Sequence, residues 1–386
     1  MKSIPYARQD ISPADIEAVV EVLRSDWLTQ GPVIERFEQA VASYCGAAHA
    51  AATCNATTAL HLACRVLELG TGDTLWTSPN TFVASANCAL YCGANIDFVD
   101  IDSHSYNMSP ARLEEKLVAA AHSGTLPKVI VAVHFAGQPC DMESIGALAR
   151  KYGVAVIEDA AHAIGATDGP DKVGACRHSD VTVFSFHPVK ILTTGEGGML
   201  LTNRSELDSR AKLLRSHGIT RSVANMDCPE EGNWYYQQVE LGFNYRMTEI
   251  QAALGLSQLA RLDEFLNRRR GLAENFSGLL SRLPVVIPWQ RPGAESAWHL
   301  YVVRIDGPGV KSRHQVFDEL RASGVEVNVH YIPVHMQPYY RKLGFNPGDF
   351  PEAERYYEEA ISLPMFYGLS DTDQRYIVEQ LERILS

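Results

Sequence analysis

The chain has 386 residues, of which 46% are apolar and 21% charged, with a formal net charge of -12. That length asks for one large and one smaller domain of ordinary globular composition, and the negative charge, with no stripe of Lys and Arg, excludes nucleic acid as a partner. No apolar run approaches the roughly 20 residues of a membrane span, and "MKSIPYARQD" lacks the apolar core of a signal peptide, so the expectation is a cytoplasmic protein without a membrane partner.

In chain order, Ser12 and Pro13 supply an N-cap and first-turn pair with Asp15 at the capping-box position. Ile16, Val19, Val20 and Leu23 trace one face of the helix that follows. From about residue 47 to 203, seven β-rich runs ("HAAATC", "TLWTS", "IDFVDI", "KVIVAVHF", "VAVIEDA", "VTVFSF", "GGMLLTN") alternate for most of the way with helical segments such as "TTALHLACRVLEL" and "DMESIGALARKYG". This alternation predicts an α/β fold with a mainly parallel sheet covered on both faces. Ligands then bind beyond the carboxyl ends of the strands. Residues 204 to 283 read mostly as helix, including one long pattern from Met247 to about Leu283, with "CPEEGNWYYQQ" as a loop. "WHLYVVRID", the helix "SRHQVFDELRASG", "VEVNVHYI" and two terminal helices form a second α/β unit. The expected division is residues 1–245 and 246–386. The eight cysteines form no C-x-x-C pair and sit mostly in apolar strings, which reads as buried free thiols and a reducing compartment.

Four strand ends carry chemistry. "TCNATTALHL" breaks from strand to helix at Asn55, Ala56 and Thr57, where free N–H groups and the helix dipole suit a phosphate, although Thr57 or Thr58 alone reads equally as an N-cap. "WTSPNTFVASAN" sets Phe82 after a Pro-Asn turn, as a ring face or a core residue. "VAVIEDAAHA" ends on Glu158 and Asp159, one of which must face inward and requires a cationic partner. "VTVFSFHPVKILTTGEGGML" places Ser185 and Lys190 after an apolar strand. A lysine there must reach solvent, pair with an anion or lose its proton. Phosphate seat, carboxylate, aromatic face and amine together match pyridoxal 5'-phosphate, which needs a Schiff-base lysine and an acid for its ring nitrogen. Dinucleotide, P-loop and zincin motifs are missing. His330 and His335 have no accompanying cysteine or carboxylate at ligand spacing, so no metal is expected.

"EDAAHAIGA", "FSFHPVKILTTGEGGM", "RSHGI" and "GFNYRMTEIQAALGLSQL" resemble the pyridoxal-phosphate sugar aminotransferases of the DegT/DnrJ/EryC1 family, over essentially the whole chain. The resemblance implies the type I, aspartate aminotransferase-like fold of these PLP-dependent transferases, working as a homodimer with sites at the interface. It implies Lys190 as the Schiff-base residue and Asp159 at the pyridine nitrogen. Phe82 would stack on the ring, and Ala56, Thr57 and Ser185 would hold the phosphate. His162 would lie near the 3'-hydroxyl, and Asn244 would reach the phosphate of the second subunit. The family often has glutamine at the position of His162, and serine at that of Asn55. "SDWLTQGP", "DFVDID", "VHFAGQPCDM" and "NVHYIPVHMQPYY" are most similar to the branch that aminates C4 of a UDP-linked 4-keto-6-deoxy sugar on the route to pseudaminic acid. L-Glutamate would be the donor and pyridoxamine 5'-phosphate the amine-bearing form. By the same resemblance Tyr6, Leu28, Thr29, Asn328, His330 and Tyr331 would contact the nucleotide sugar. The UDP-4-keto-pentose enzymes of lipid A modification look nearly the same at the strand ends.

Overall fold

The computed structural model describes residues 3–227, 231–307 and 311–386, so Cys228 and the start of the segment read as a loop lie outside the described residues. Helix α1 (Pro13–Arg24) begins as its sequence predicts. Ser12 Oγ accepts from the Asp15 N–H at 3.2 Å, and Asp15 accepts from the Ser12 N–H at 2.8 Å. On the face traced by the apolar residues, Ile16 and Leu23 are exposed on the single subunit, while Asp15 and Val22 are buried. Asp15 also accepts from Ser257 Oγ at 2.6 Å and Gln258 Nε2 at 2.7 Å. The polar fastening, more than the apolar stripe, sets the rotation of α1. Helix α2 (Pro32–Cys45) starts at Gly31, which offers no side-chain cap. The buried Glu249 carboxylate takes that place, accepting from the N–H groups of Gly31, Val33 and Ile34 at 3.0, 2.7 and 3.3 Å.

The main sheet has seven strands, β1 (His49–Thr53), β2 (Thr74–Thr77), β3 (Asn95–Phe98), β4 (Val129–Val133), β5 (Ala155–Asp159), β6 (Val181–Ser185) and β7 (Gly198–Thr202). Each of the seven predicted runs contributes one. Their spatial order is β1-β7-β6-β5-β4-β2-β3, and only β7 runs against the others. β4, buried at every residue, shows why its sequence is a continuous apolar run. The helices α3 (Ala56–Val66), α4 (Ala84–Tyr91), α5 (Pro110–Ser123), α6 (Met142–Tyr152) and α7 (Ser205–Leu214) fill the connections. α3, α4 and α7 share one core with the sheet, α5 and α6 a second, and α2 a third that includes Phe37, Phe184 and Phe265.

The long helix expected from Met247 to Leu283 is two helices, α8 (Glu249–Leu259) and α9 (Leu262–Leu280). Arg261 leaves helical geometry at φ -104°, ψ 3°, and its guanidinium donates to Asp10 at 2.7 Å. The described residues between 215 and 248 are likewise mostly non-helical and include a short antiparallel pairing of Ile219–Thr220 with Gln237–Gln238. A further core gathers Ile4, Phe276, Tyr301, Val316, Val325, Ile361 and Leu381. Here β8 (Tyr301–Arg304) pairs antiparallel with β9 (Ala360–Leu363), flanked by α10 (Arg313–Ala322), α11 (Pro351–Glu359) and α12 (Asp371–Leu385). "VEVNVHYI" forms no strand; it makes single bridges from Val325 to Ile4 and from Asn328 to Ser362.

Candidate active site

The strand ends converge on a cavity of about 490 Å³. Its floor is the turn from β1 into α3. Asn55, extended at φ -167°, is the N-cap, and its Oδ1 accepts from the Thr58 N–H at 2.9 Å. Asn55 is therefore the capping residue, in place of Thr57 or Thr58, and the N–H groups of Ala56 and Thr57 remain as first-turn donors at the cavity. Gly198 permits this position: a Cβ there would lie 2.5 Å from the Asn55 carbonyl and 2.6 Å from Ala56 N. The loop from Phe186 to Gly197 closes on itself, with the Thr194 N–H donating to the Phe186 carbonyl at 3.0 Å and the Phe186 N–H to the Gly197 carbonyl at 2.9 Å. It carries Lys190 into the cavity beside Ser185 and His187.

Asp159 and Glu158, adjacent at the end of β5, are both buried and point to different partners. Asp159 lines the cavity, where it accepts from Ser85 Oγ at 2.6 Å and the Ala161 N–H at 3.1 Å. Glu158 turns away to His134 Nε2 at 2.7 Å and Thr182 Oγ1 at 3.3 Å. Burial pushes the Lys190 amine down to about 8, against the opposing pull of Asp159. At pH 7.5 roughly a quarter of such an amine is neutral, against about one part in a thousand for an ordinary lysine.

Besides the exposed His187, three buried imidazoles close the cavity. His162 faces the Tyr331 hydroxyl across 3.1 Å and packs its ring on His299, centroid to centroid 4.3 Å. His330 shares a hydrogen bond with Ser362 Oγ at 2.8 Å. Burial first, and the Lys190 charge with it, drives His162 and His299 well below the usual histidine range and His330 down to about 3. All three are neutral at physiological pH. His299 was not singled out from the sequence, since one histidine in "WHLYVVRID" carries no spacing signal. Its backbone is clamped by buried Arg269, which donates to the carbonyls of Trp298, His299 and Met365 at 3.0, 3.3 and 3.1 Å.

Of the residues expected to meet, Ala56, Thr57, Phe82, Asp159, His162, Ser185, Lys190, Tyr6, His330 and Tyr331 line this one cavity. Phe82, 57% exposed, offers its ring to the opening with Tyr331 at 6.1 Å between centroids. Asn328 does not line the cavity; it bridges Ser362 through the backbone. Leu28, Thr29 and Asn244 do not join them. Leu28 and Thr29 are exposed beside the start of α8, where Thr29 bridges Thr248, and Asn244 is exposed and bridges Ser216.

The donor set fits pyridoxal 5'-phosphate. An amine of lowered basicity and a carboxylate flank one space, a helix N-terminus opens on it, and the buried His162 Nδ1, among the described residues, has no hydrogen-bond partner. Comparison with known proteins gives the same answer. The model of the DegT/DnrJ/EryC1/StrS aminotransferase family matches residues 9–382. A GDP-perosamine synthase of Caulobacter vibrioides is 38% identical over 95% of this chain and 94% of its own length. A UDP-4-amino-4,6-dideoxy-N-acetyl-β-L-altrosamine transaminase of Campylobacter jejuni is 33% identical over 99% of this chain and 97% of its own. Among solved structures, Streptococcus pneumoniae Spr1654 in its PMP form superposes with a TM-score of 0.91 at 31% identity, covering 99% and 98% of the two chains.

Proposed function

The chain belongs to the DegT/DnrJ/EryC1/StrS aminotransferase family, and from that premise we propose that it moves the amino group of L-glutamate to C4 of UDP-2-acetamido-2,6-dideoxy-β-L-arabino-hex-4-ulose. The product would be UDP-4-amino-4,6-dideoxy-N-acetyl-β-L-altrosamine, a step toward pseudaminic acid in the cytoplasm. The observation that carries the aminotransfer is Lys190 beside Asp159 over the α3 N-terminus. The choice of sugar is supported by the altrosamine transaminase with which this chain shares 33% identity. A GDP-linked sugar is the second reading, because a GDP-perosamine synthase shares 38%. Assays with glutamate and, in turn, the UDP-linked hexulose, a UDP-4-keto-pentose and a GDP-linked 4-keto-6-deoxy hexose decide it. Preference for either of the last two overturns the first reading.

Pyridoxal 5'-phosphate, when bound, supplies the carbonyl that carries the amino group between donor and acceptor and a ring that withdraws electrons from the reacting carbon. The protein's own residues do the rest. Ala56 and Thr57 N–H groups with Ser185 hold the phosphate. Phe82 would cover one face of the ring, and Asp159 would hold a proton on the ring nitrogen. Lys190 would hold the cofactor, and its amine would take and return the proton at the reacting carbon. The neutral histidines leave that exchange to the amine, since an imidazole at about 3 is a poor base. Tyr6, His330 and Tyr331 line the side on which the sugar would lie.

An amine titrating at about 8 makes a pH prediction. Only the neutral amine attacks a carbonyl, so the rate of covalent cofactor capture by the apoprotein should rise with pH and level off above about 8, as followed by absorbance. A rise continuing beyond pH 10 would mean an ordinary lysine.

We further propose that the active form is a homodimer. Ile16, Leu23, Trp27 and Leu28 near the N-terminus, and Val223, Trp234 and Leu241 around the hairpin, are large apolar side chains exposed on a single subunit. In the dimer Asn244, with Leu28 and Thr29, would serve the partner's site. Loss of one hydrogen bond to a phosphate is worth about 1.5 to 3 kcal/mol, so Asn244→Ala should weaken cofactor retention roughly ten- to a hundredfold with little change in melting. Mixing Asn244→Ala with Lys190→Ala subunits puts both lesions into one site of the heterodimer and leaves the other intact. Each heterodimer should therefore regain about half the wild-type activity, whereas service within one subunit would restore none.

A further inference from the structure

The sheet fixes the backbone of Asp159 but not its carboxylate. At the end of β5, Asp159 stands in register with Val133 of β4 and Val183 of β6, and its carbonyl accepts from the His134 N–H at 3.0 Å. What the ladder leaves free is rotation of the side chain. Two donors remove that freedom, one on each oxygen: the Ala161 N–H reaches Oδ1 at 3.1 Å, and Ser85 Oγ reaches Oδ2 at 2.6 Å. Ser85 lies in the first turn of α4, fully buried and flanked by the buried Ala84 and Ala86. A hydroxyl in such a place is costly unless it is bonded. Its second partner is Thr81 Oγ1 at 2.8 Å, itself buried, on the turn that enters α4. An ionised carboxylate only accepts, so the single Ser85 proton goes to Asp159 and Thr81 must donate to Ser85. The hydroxyls form one directed chain, Thr81 to Ser85 to Asp159. Neither caps α4, whose N-cap position is Val83 with no side-chain bond.

We propose that Ser85 is a positioning residue for the aminotransfer, with Thr81 behind it: the two hydroxyls hold the Asp159 carboxylate in the orientation that meets the protonated ring nitrogen of the cofactor. The proposal rests on the reading of Asp159 as the acid opposite that nitrogen. Ser85 does not line the cavity and acts through Asp159. A bond from a hydroxyl to an ionised carboxylate is of the stronger, charge-assisted kind, so it can hold one rotamer against the others. Thr81 lines the cavity next to Phe82, so the same chain ties the residue that would cover the ring to the residue that would hold its proton.

The test compares pyridoxamine 5'-phosphate with its counterpart carrying C–H in place of the ring nitrogen, each bound without a covalent bond to the full chain freed of cofactor, by equilibrium dialysis. The ratio of the two dissociation constants reads the nitrogen contact by itself, because the phosphate seat and the ring cover serve both compounds alike. Wild type should prefer the nitrogen compound roughly ten- to a hundredfold, as for a hydrogen bond to a charged group. Ser85→Ala should cut that preference on the order of tenfold. Ser85→Cys, which keeps the shape with a weaker donor, should cut it by less, and it decides alone where the alanine variant does not fold. A merely structural role would weaken both compounds equally, so an unchanged ratio in the Ser85 variants overturns the proposal. Asp159→Asn separates the proposal from its premise. If that variant loses the preference while the Ser85 variants keep it in full, Asp159 is the acid and Ser85 does not position it. If Asp159→Asn keeps the preference, Asp159 is not the acid and the proposal falls with it.

Discussion

Lys190→Ala is expected to remove multiple-turnover transamination, a loss of at least about 10³-fold, or roughly 4 kcal/mol in the barrier, with no comparable loss of stability. Among the described residues lining the cavity, Lys190 is the only amine. Three of the neighbours that could exchange a proton, His162, His299 and His330, are imidazoles held neutral by burial. The fold should survive because the loop's own bonds run through backbone: the Lys190 N–H donates to the His187 carbonyl at 2.8 Å whatever side chain follows. Progress curves with glutamate and keto sugar, set beside thermal melts, check both halves. Turnover within tenfold of wild type would place the chemistry elsewhere.

Asp159→Asn should cost more than tenfold in rate, above about 1.4 kcal/mol in the barrier, and should shift a second observable. Asparagine can go on accepting from the Ala161 N–H through its carbonyl oxygen, and Ser85, already sharing a hydrogen bond with Thr81 at 2.8 Å, can turn its hydroxyl to accept from the new amide. Shape is kept and charge is lost. A ring nitrogen then has no anion to hold its proton. Because Asp159 is what opposes the fall in Lys190 basicity, the midpoint for cofactor capture should move below about 8 in this variant. Glu158 cannot take over, since His134 and Thr182 hold it on the far side of β5. An unchanged rate would mean that another group protonates the ring.

Much of the architecture was legible because its signals are local. Seven runs of β-rich sequence became seven strands, and residues at four of their ends line one cavity. What escaped was decided by distant residues. The apolar pattern of α8 runs into α9 without interruption, and the break at Arg261 depends on Asp10 more than two hundred residues away. β9 follows α11 directly, Glu359 to Ala360, with no glycine or proline to mark the change, and it exists because β8 supplies a partner. His299 joins the cavity only through the Arg269 clamp. Leu28, Thr29 and Asn244 are assigned by resemblance, and a single chain leaves them apart from the residues they would join.

The position of β7 also bears on how the molecule is made. β1 is the first of the seven strands to be synthesised, yet among the described residues its only neighbour in the sheet is β7, the last of the seven. The phosphate seat at Asn55 and Ala56 rests on Gly198 of that same strand. A nascent chain therefore has no completed seat until about residue 200 has been synthesised and has returned across the sheet, a long-range closure of the kind that slows folding. Cofactor cannot template the early steps; it can only lock a sheet that has already closed.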